Sequence, residues 1–150
     1  DVERSRGLGD VYKRQMKPPR NHDKLKILIV DDSDFNRKNM VEILTYEGFN
    51  VIGQAGSAEE AIQIAHSAKP NLIFIDIVMP EISGLELTKH LQEKSTGEKF
   101  IIMMSSLNIE SIVIESISNG ASDFLQKPFE RDDLIKAVEK VERLVEKDNR

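Results

Sequence analysis

The stretch ILIVDD, residues 27–32, places four consecutive apolar residues directly before two aspartates. A short unbroken apolar run is typical of a strand that is buried on both faces, because it leaves no polar face for solvent. Four further apolar runs follow at residues 51–52, 72–75, 100–104 and 124–125. The chain therefore contains five candidate strands, and the first of them ends at a pair of carboxylates.

Longer stretches with apolar residues at helical spacing lie between and after these runs. The five stretches are residues 40–44, 58–65, 85–91, 109–117 and 134–145. Ser57 and Ser83 stand where two of these helices should begin, and Gly48 and Gly120 stand where two others should end. Five strands alternating with five helices predict an α/β protein, with a parallel sheet covered by helices on both faces.

Composition and charge exclude several classes of protein. The chain has 150 residues, 39% of them hydrophobic, no cysteine and a net charge of −5. These values fit one globular domain and exclude a disulfide scaffold, a thiolate metal site and a cysteine nucleophile. The apolar runs are too short to span a bilayer, and we see no secretory signal, so we expect a cytoplasmic protein that does not bind membranes. The acidic balance argues against direct binding of nucleic acid by the main body.

The N-terminal residues differ from the rest of the chain. Residues 1–24 carry a net charge of +3, which leaves −8 for residues 25–150. They contain few large apolar side chains and no periodic pattern, so we expect a disordered tail. Met16 is a candidate native start, which would make residues 1–15 non-native. A basic arm that binds nucleic acid or membrane is the sharper alternative, but the tail lacks interleaved aromatic residues.

Polar side chains follow four of the five predicted strands. Asp31 and Asp32 follow the first strand, Asp76 the third, Ser105 the fourth and Lys127 the fifth. Because ligands of open α/β sheets bind at the carboxyl ends of the strands, we expect these groups to converge at one edge. Crowded carboxylates need a cation to neutralise them, and Mg²⁺ suits a site with few carboxylates that also accepts phosphate oxygens.

Each of these residues also has a common structural role. An aspartate pair after a strand is often the N-cap of the next helix, a single serine is often a loop hydroxyl, and a single lysine is often a surface charge. A flavodoxin-like module that binds FMN or a nucleotide is a further alternative. It would need a phosphate-cradling loop after the first strand, where Asp31 and Asp32 would repel phosphate unless a metal intervened. The combination of groups at four strand ends favours a functional site.

The motifs around these residues resemble the receiver domain of bacterial two-component response regulators. The resemblance covers about residues 25–147. Within the family, the chain is similar to the stand-alone, chemotaxis-regulator-like form of that domain. The motifs that carry it are Leu28–Asp32, Asp76–Pro80 with Gly84, Met104–Ser106 and Gly120–Phe129. It implies a (βα)₅ flavodoxin-like, doubly wound parallel sheet of five strands, with a receiver domain over residues 25–147.

The same resemblance implies the chemistry. A sensor histidine kinase or a phosphotransfer protein would donate a phosphoryl group to Asp76 in a Mg²⁺-dependent reaction. Asp31, Asp32 and Asp76 would bind Mg²⁺ together with the backbone carbonyl of Val78. Lys127 would contact a phosphoryl oxygen. The protein would act on itself alone, catalysing only its own phosphorylation and dephosphorylation.

The resemblance also implies a conformational switch. Ser105 matches the switch hydroxyl and Phe124 the switch aromatic, and an unidentified output partner would bind the face formed by residues 109–147. The alternative is the receiver part of a truncated DNA-binding response regulator. The discriminating observation is whether the native gene continues beyond Arg150.

Overall fold

The computed structural model describes residues 24–94, 97–107 and 110–148. Five strands alternate with five helices, as predicted. In chain order the elements are β1 (Lys26–Val30), α1 (Asp34–Tyr46), β2 (Asn50–Ala55), α2 (Ala58–Ala68), β3 (Leu72–Asp76), α3 (Gly84–Lys94), β4 (Phe100–Ser105), α4 (Glu110–Ser118), β5 (Asp123–Gln126) and α5 (Arg131–Asp148). Residues 1–23 of the predicted tail, and the predicted start of α4 at residue 109, lie outside the described residues.

The five strands form one parallel sheet in the order β2-β1-β3-β4-β5. Val30 at the end of β1 pairs with Ile75, so Asp31 follows β1 next to Asp76 on the neighbouring strand. Ser105 at the end of β4 pairs with Gln126, which directly precedes Lys127. The strand order reverses between β1 and β3, and this is the point at which doubly wound sheets bind their ligands. The predicted doubly wound fold is therefore confirmed.

The apolar strands are buried because helices cover both faces of the sheet. Leu28 and Ile73 belong to a core that α2 and α3 cover. Ile27 and Phe74 belong to a second core, which α1 and α5 cover. Successive side chains of a strand point to opposite faces, so a sheet with two cores needs apolar residues at every position.

The helix ends follow the predicted signals. The Ser57 hydroxyl accepts a hydrogen bond from the backbone N–H of Glu60 at 3.2 Å, which makes Ser57 the N-cap of α2. The Ser83 hydroxyl accepts from the N–H of Glu86 in the same way. Gly48 and Gly120, after α1 and α4, have φ values of 91° and 104°. Such left-handed conformations favour glycine at helix ends.

No helix in the described part of the chain is both long enough and apolar enough to cross a bilayer.

Gly84, the first residue of α3, is predicted to tolerate no side chain. A Cβ atom there would lie 2.2 Å from the backbone oxygen of Asp76 and 2.8 Å from the Cα of Ile77, so the backbone would have to move. We expect Gly84→Ala to lower the free energy of unfolding by about 2 kcal/mol, the scale of an overpacked core, as measured by urea denaturation. Gly97→Ala is the control, because a Cβ at Gly97 meets nothing within 4 Å. Equal effects of both substitutions would contradict the prediction.

Candidate functional site

The predicted site residues lie together at the carboxyl edge of the sheet. Backbone hydrogen bonds continue the strand pairing beyond the strand ends and hold the loops in register. The three bonds are Asp31 N to Ala55 O at 3.1 Å, Ile77 N to Met104 O at 2.9 Å and Lys127 N to Ser105 O at 2.8 Å. The loops that carry the polar side chains are therefore tied to the sheet where the strands end.

Three carboxylates form the centre of the site. Asp31, Asp32 and Asp76 each place one carboxylate oxygen so that the three oxygens lie within 4.8 Å of one another. Asp31 is fully buried and Asp76 is 7% exposed, whereas Asp32 faces solvent. The two buried carboxylates repel each other in a medium that stabilises charge poorly, so cations are needed to balance them.

Lys127 supplies one such cation. Its Nζ atom lies 2.7 Å from Oδ2 of Asp31 and 3.2 Å from Oδ2 of Asp76. The peptide bond between Lys127 and Pro128 is cis. One ammonium thus serves two carboxylates, and the group of three aspartates and one lysine keeps a net charge of −2.

Backbone amides hold the second oxygen of each buried carboxylate. Oδ1 of Asp31 accepts from the N–H of Ser33 at 2.8 Å, and Oδ1 of Asp76 accepts from the N–H of Val78 at 3.1 Å. The N-cap of α1 is Ser33, whose hydroxyl accepts from the N–H of Asn36. The alternative that the aspartate pair merely caps this helix is therefore wrong.

The surroundings shift the pKa values of Asp76 and Lys127 in a consistent way. Burial raises the pKa of Asp76; the charge of Lys127 offsets part of this effect, and the charge of Asp31 adds to it. Burial by itself would lower the pKa of Lys127, but its hydrogen bond to Asp31 and the charges of both aspartates outweigh burial and raise the pKa. Lys127 therefore remains a cation at neutral pH, and the ionised form of Asp76 carries an energetic cost.

Ser105 ends β4, the strand that pairs with the end of β3 at Asp76, and Phe124 lies on the next strand, β5. Ser105 is fully buried, and its hydroxyl oxygen accepts a hydrogen bond from the N–H of Leu107 at 2.9 Å. That bond uses a lone pair of the hydroxyl and leaves its hydrogen able to donate. Phe124 is half-buried and packs, with Ile112 of α4, against the core on that face of the sheet.

The donor set fits Mg²⁺. All three side chains offer carboxylate oxygens, the hard ligands that this ion prefers, and the exposed Asp32 leaves one side of the cluster open to solvent. The three oxygens lie near enough to one another to serve one cation.

Sequence reasoning missed one residue that contacts the site. Arg37, on α1, donates from Nη1 to the backbone oxygen of Asp31 at 2.6 Å. The only signal in the sequence is a basic residue one turn into the helix that follows the aspartate pair. That signal is weak, because arginines on helix surfaces are common.

Comparisons with known proteins point in one direction. The family model described as "Response regulator receiver domain" matches residues 27–139. The chemotaxis protein CheY of Thermotoga maritima is 36% identical over 118 residues, which cover 79% of this chain and 98% of that protein. The nitrate/nitrite response regulator protein NarL of Escherichia coli is 34% identical over 119 residues, covering 79% of this chain and 55% of NarL.

Solved structures agree with these sequence matches. The crystal structure of the CheX–CheY–BeF₃–Mg²⁺ complex from Borrelia burgdorferi matches with a TM-score of 0.73 and 34% identity, covering 78% of this chain and 88% of that one. A CheY-like receiver domain protein from Methanospirillum hungatei matches with a TM-score of 0.76 and 29% identity, covering 83% of this chain and 98% of that one.

The cost of ionising Asp76 predicts a stabilising substitution. In Mg²⁺-free buffer we expect Asp76→Asn to raise the free energy of unfolding at pH 7 by about 1 kcal/mol, because it removes a buried charge whose pKa is raised. A carboxylate with a raised pKa destabilises the folded state above that pKa. The gain should therefore shrink as the pH falls through the folded-state pKa of Asp76 and approaches the ordinary aspartate value.

Chemical denaturation at several pH values measures this gain. Glu93→Gln is the matched control, because Glu93 is an exposed carboxylate on α3 and its removal should change stability by less than about 0.5 kcal/mol. A loss of stability in Asp76→Asn at neutral pH would show that the attraction to Lys127 exceeds the cost of burial.

Proposed function

The chain belongs to the response regulator receiver domain family, and on that premise we propose that Asp76 is its phosphoacceptor. Aspartate phosphorylation and Mg²⁺-dependent signalling are general properties of the family, whose members are signalling proteins rather than classical enzymes. We assign the receiver domain to residues 25–147. A cytoplasmic location stays a prediction.

The observation that carries the proposal is the position of the Asp76 carboxylate. It lies at the end of the central strand β3, buried on one side, with Lys127 at 3.2 Å and two further aspartates within reach of the same cation. Asp31 and Asp76 each have one oxygen on Lys127 and the other on a backbone amide, but Asp31 is fully buried, whereas Asp76 is 7% exposed and is therefore the one of the two that a phosphodonor can reach.

The transfer forms one bond and breaks one bond. A carboxylate oxygen of Asp76 attacks the phosphorus of a phosphohistidine; the new O–P bond forms as the N–P bond breaks, and the imidazole leaves with the electron pair. Lys127 supplies positive charge to a phosphoryl oxygen, and the Ser105 hydroxyl donates a hydrogen bond to another. Asp31, Asp32, Asp76 and the backbone carbonyl of Val78 would hold Mg²⁺, which when bound neutralises charge on the carboxylates and on the phosphoryl group. The protein would thus act only on itself.

Receiver domains of this type interact with histidine kinases and with output partners. For this chain we propose a sensor histidine kinase or a phosphotransfer protein as the phosphodonor. The output partner would bind the face that includes α4, β5 and α5, where Ile114 and Ile117 of α4 are 58% and 51% exposed. We expect neither membrane binding nor direct binding of nucleic acid by this chain.

A conformational switch would connect the site at Asp76 with the proposed output face. Ser105 now accepts from the N–H of Leu107, which lies in the loop before α4. If Ser105 turns to donate to a phosphoryl group on Asp76, that loop moves with it, and Phe124 can turn into the space beside Ile112. The change is a shift between two packings of the same fold.

Phosphorylation of Asp76 is tested by mass spectrometry after incubation with acetyl phosphate and Mg²⁺. We expect one adduct on the wild type that is labile to base and to hydroxylamine, as an acyl phosphate should be, and no adduct on Asp76→Asn. Asp32→Ala should form the adduct only at much higher Mg²⁺ concentrations, because it removes a ligand from a sparse site. Glu93→Gln again serves as the control, and should behave as the wild type. An adduct of equal amount on Asp76→Asn would reject Asp76 as the acceptor.

The switch is tested with beryllofluoride, a stand-in for the phosphoryl group. On addition of beryllofluoride and Mg²⁺ to the wild type, we expect amide NMR shifts in α4 and β5 as well as at the site. Ser105→Ala should still bind beryllofluoride but show several-fold smaller shifts in α4, because it has lost the hydroxyl that connects the site to the loop. Ser122→Ala is the control, since Ser122 is an exposed serine that precedes β5. Equal shifts in wild type and Ser105→Ala would rule out this role for the hydroxyl.

A further inference from the structure

Arg37 connects three parts of the fold beneath the carboxylate cluster. Nη1 donates to the backbone oxygen of Asp31 at 2.6 Å, and Nε donates to Oε1 of Gln54, on β2, at 3.2 Å. Nη2 forms an ion pair with Asp34, in the first turn of α1. The Arg37 side chain is only 14% exposed, although the helix that carries it lies at the surface. This guanidinium therefore joins α1, the end of β1 and the edge strand β2.

The shape of the guanidinium suits this position. Its N–H groups point in fixed directions within one plane, so it can donate to three acceptors at once, whereas the ammonium of a lysine is a single point of charge. Gly56 lies against it: a Cβ atom on Gly56 would be 3.0 Å from Nη1 of Arg37. The absence of a side chain at Gly56 leaves the space that the guanidinium occupies.

The bond from Arg37 to the carbonyl oxygen of Asp31 is important because the other polar groups of Asp31 are also hydrogen-bonded. The N–H of Asp31 donates to the backbone oxygen of Ala55, and its carboxylate accepts from the N–H of Ser33 and from Lys127. With Arg37 on the carbonyl oxygen, each polar group of the fully buried Asp31 has a partner. The peptide that joins Asp31 to Asp32 is thus held from α1 through its carbonyl oxygen, and the preceding peptide is held from β2 through the N–H of Asp31. The orientation of the Asp31–Asp32 peptide plane sets where both carboxylates point.

We propose that Arg37 is a positioning residue for the divalent-cation site: it fixes the peptide between Asp31 and Asp32 and thereby sets the affinity for Mg²⁺. The inference rests on the proposed function, because it assumes that these two carboxylates hold the ion. Arg37 itself contributes no ligand, since a guanidinium has donors only. Its effect is on the arrangement of the two carboxylates before the ion arrives.

The experiment compares Mg²⁺ binding by the full chain and its variants, using calorimetry and amide NMR titration. Arg37→Lys keeps the charge but cannot hold all three acceptors, and we expect about tenfold weaker Mg²⁺ binding, the scale for residues that orient metal ligands. Gln54→Ala removes one acceptor and leaves Arg37 in place, so it should weaken binding in the same direction by less. Arg143→Lys, at an exposed position on α5, is the control and should bind Mg²⁺ as the wild type does.

A second measurement separates positioning from a general loss of structure. The rate of adduct formation from acetyl phosphate in Arg37→Lys should return to the wild-type rate at saturating Mg²⁺, because the reacting groups are unchanged. Unchanged Mg²⁺ affinity in Arg37→Lys would overturn the inference, and so would a rate that stays low at saturating Mg²⁺. If the wild type bound no Mg²⁺, the proposed function itself would be rejected. If the wild type bound Mg²⁺ and Arg37→Lys bound it equally well, only the inference about Arg37 would be rejected.

Discussion

Two buried carboxylates share one ammonium, and the rest of the site depends on this shortage of positive charge. Lys127 lies between Asp31 and Asp76, while Asp32 adds a third negative charge at the surface. Burial raises the pKa of Asp76 in spite of Lys127, so the ionised cluster is unfavourable by itself. A divalent cation would relieve this arrangement by placing positive charge beside the carboxylates. Under the proposed function, a phosphoryl group would add negative charge and so increase the demand for Lys127 and for the cation.

A parallel sheet is what makes such a cluster possible from distant parts of the chain. Asp31, Asp76 and Lys127 are separated by 45 and 51 positions, yet each follows the carboxyl end of a strand in the same sheet. Close packing of the backbone then fixes the positions of these three residues relative to one another along the strand direction. Gly84 is part of this packing, because α3 begins against the backbone of Asp76 with no room for a side chain. The stability of the fold and the geometry of the site therefore depend on the same contacts.

The site is also connected to the loop before α4, so small movements can be transmitted to that helix. Ser105 is bonded to the loop before α4, and Phe124 packs against the same core as Ile112 of that helix. Arg37 acts on the opposite side, through the backbone of Asp31. One side of the cluster is thus held by a guanidinium with three acceptors, and on the other side a single hydroxyl is bonded to the loop before α4. Under the proposed function, this asymmetry would let the site bind its cation with little rearrangement and respond to phosphorylation by moving α4.

Much of this protein follows from the sequence alone. Unbroken apolar runs predicted β1, β3 and β4 to within a residue or so, because strands in the middle of a doubly covered sheet need apolar side chains on both faces. The edge strand β2 extends from Asn50 to Ala55, well beyond the predicted residues 51–52, since its half-exposed positions admit Gly53 and Gln54. α2 ends at Ala68 and is capped by Lys69, which takes a left-handed φ of 50°. The sequence has no glycine there that would have predicted this helix end. Residue types at the strand ends were enough to identify the carboxylates, the hydroxyl and the lysine as candidate site residues.

Only the tertiary structure decided that Lys127 bridges two of those carboxylates, that Ser33 rather than an aspartate caps α1, and that Arg37 holds the backbone of Asp31. Each of these depends on distances between side chains from different elements, and a one-dimensional pattern does not contain such distances.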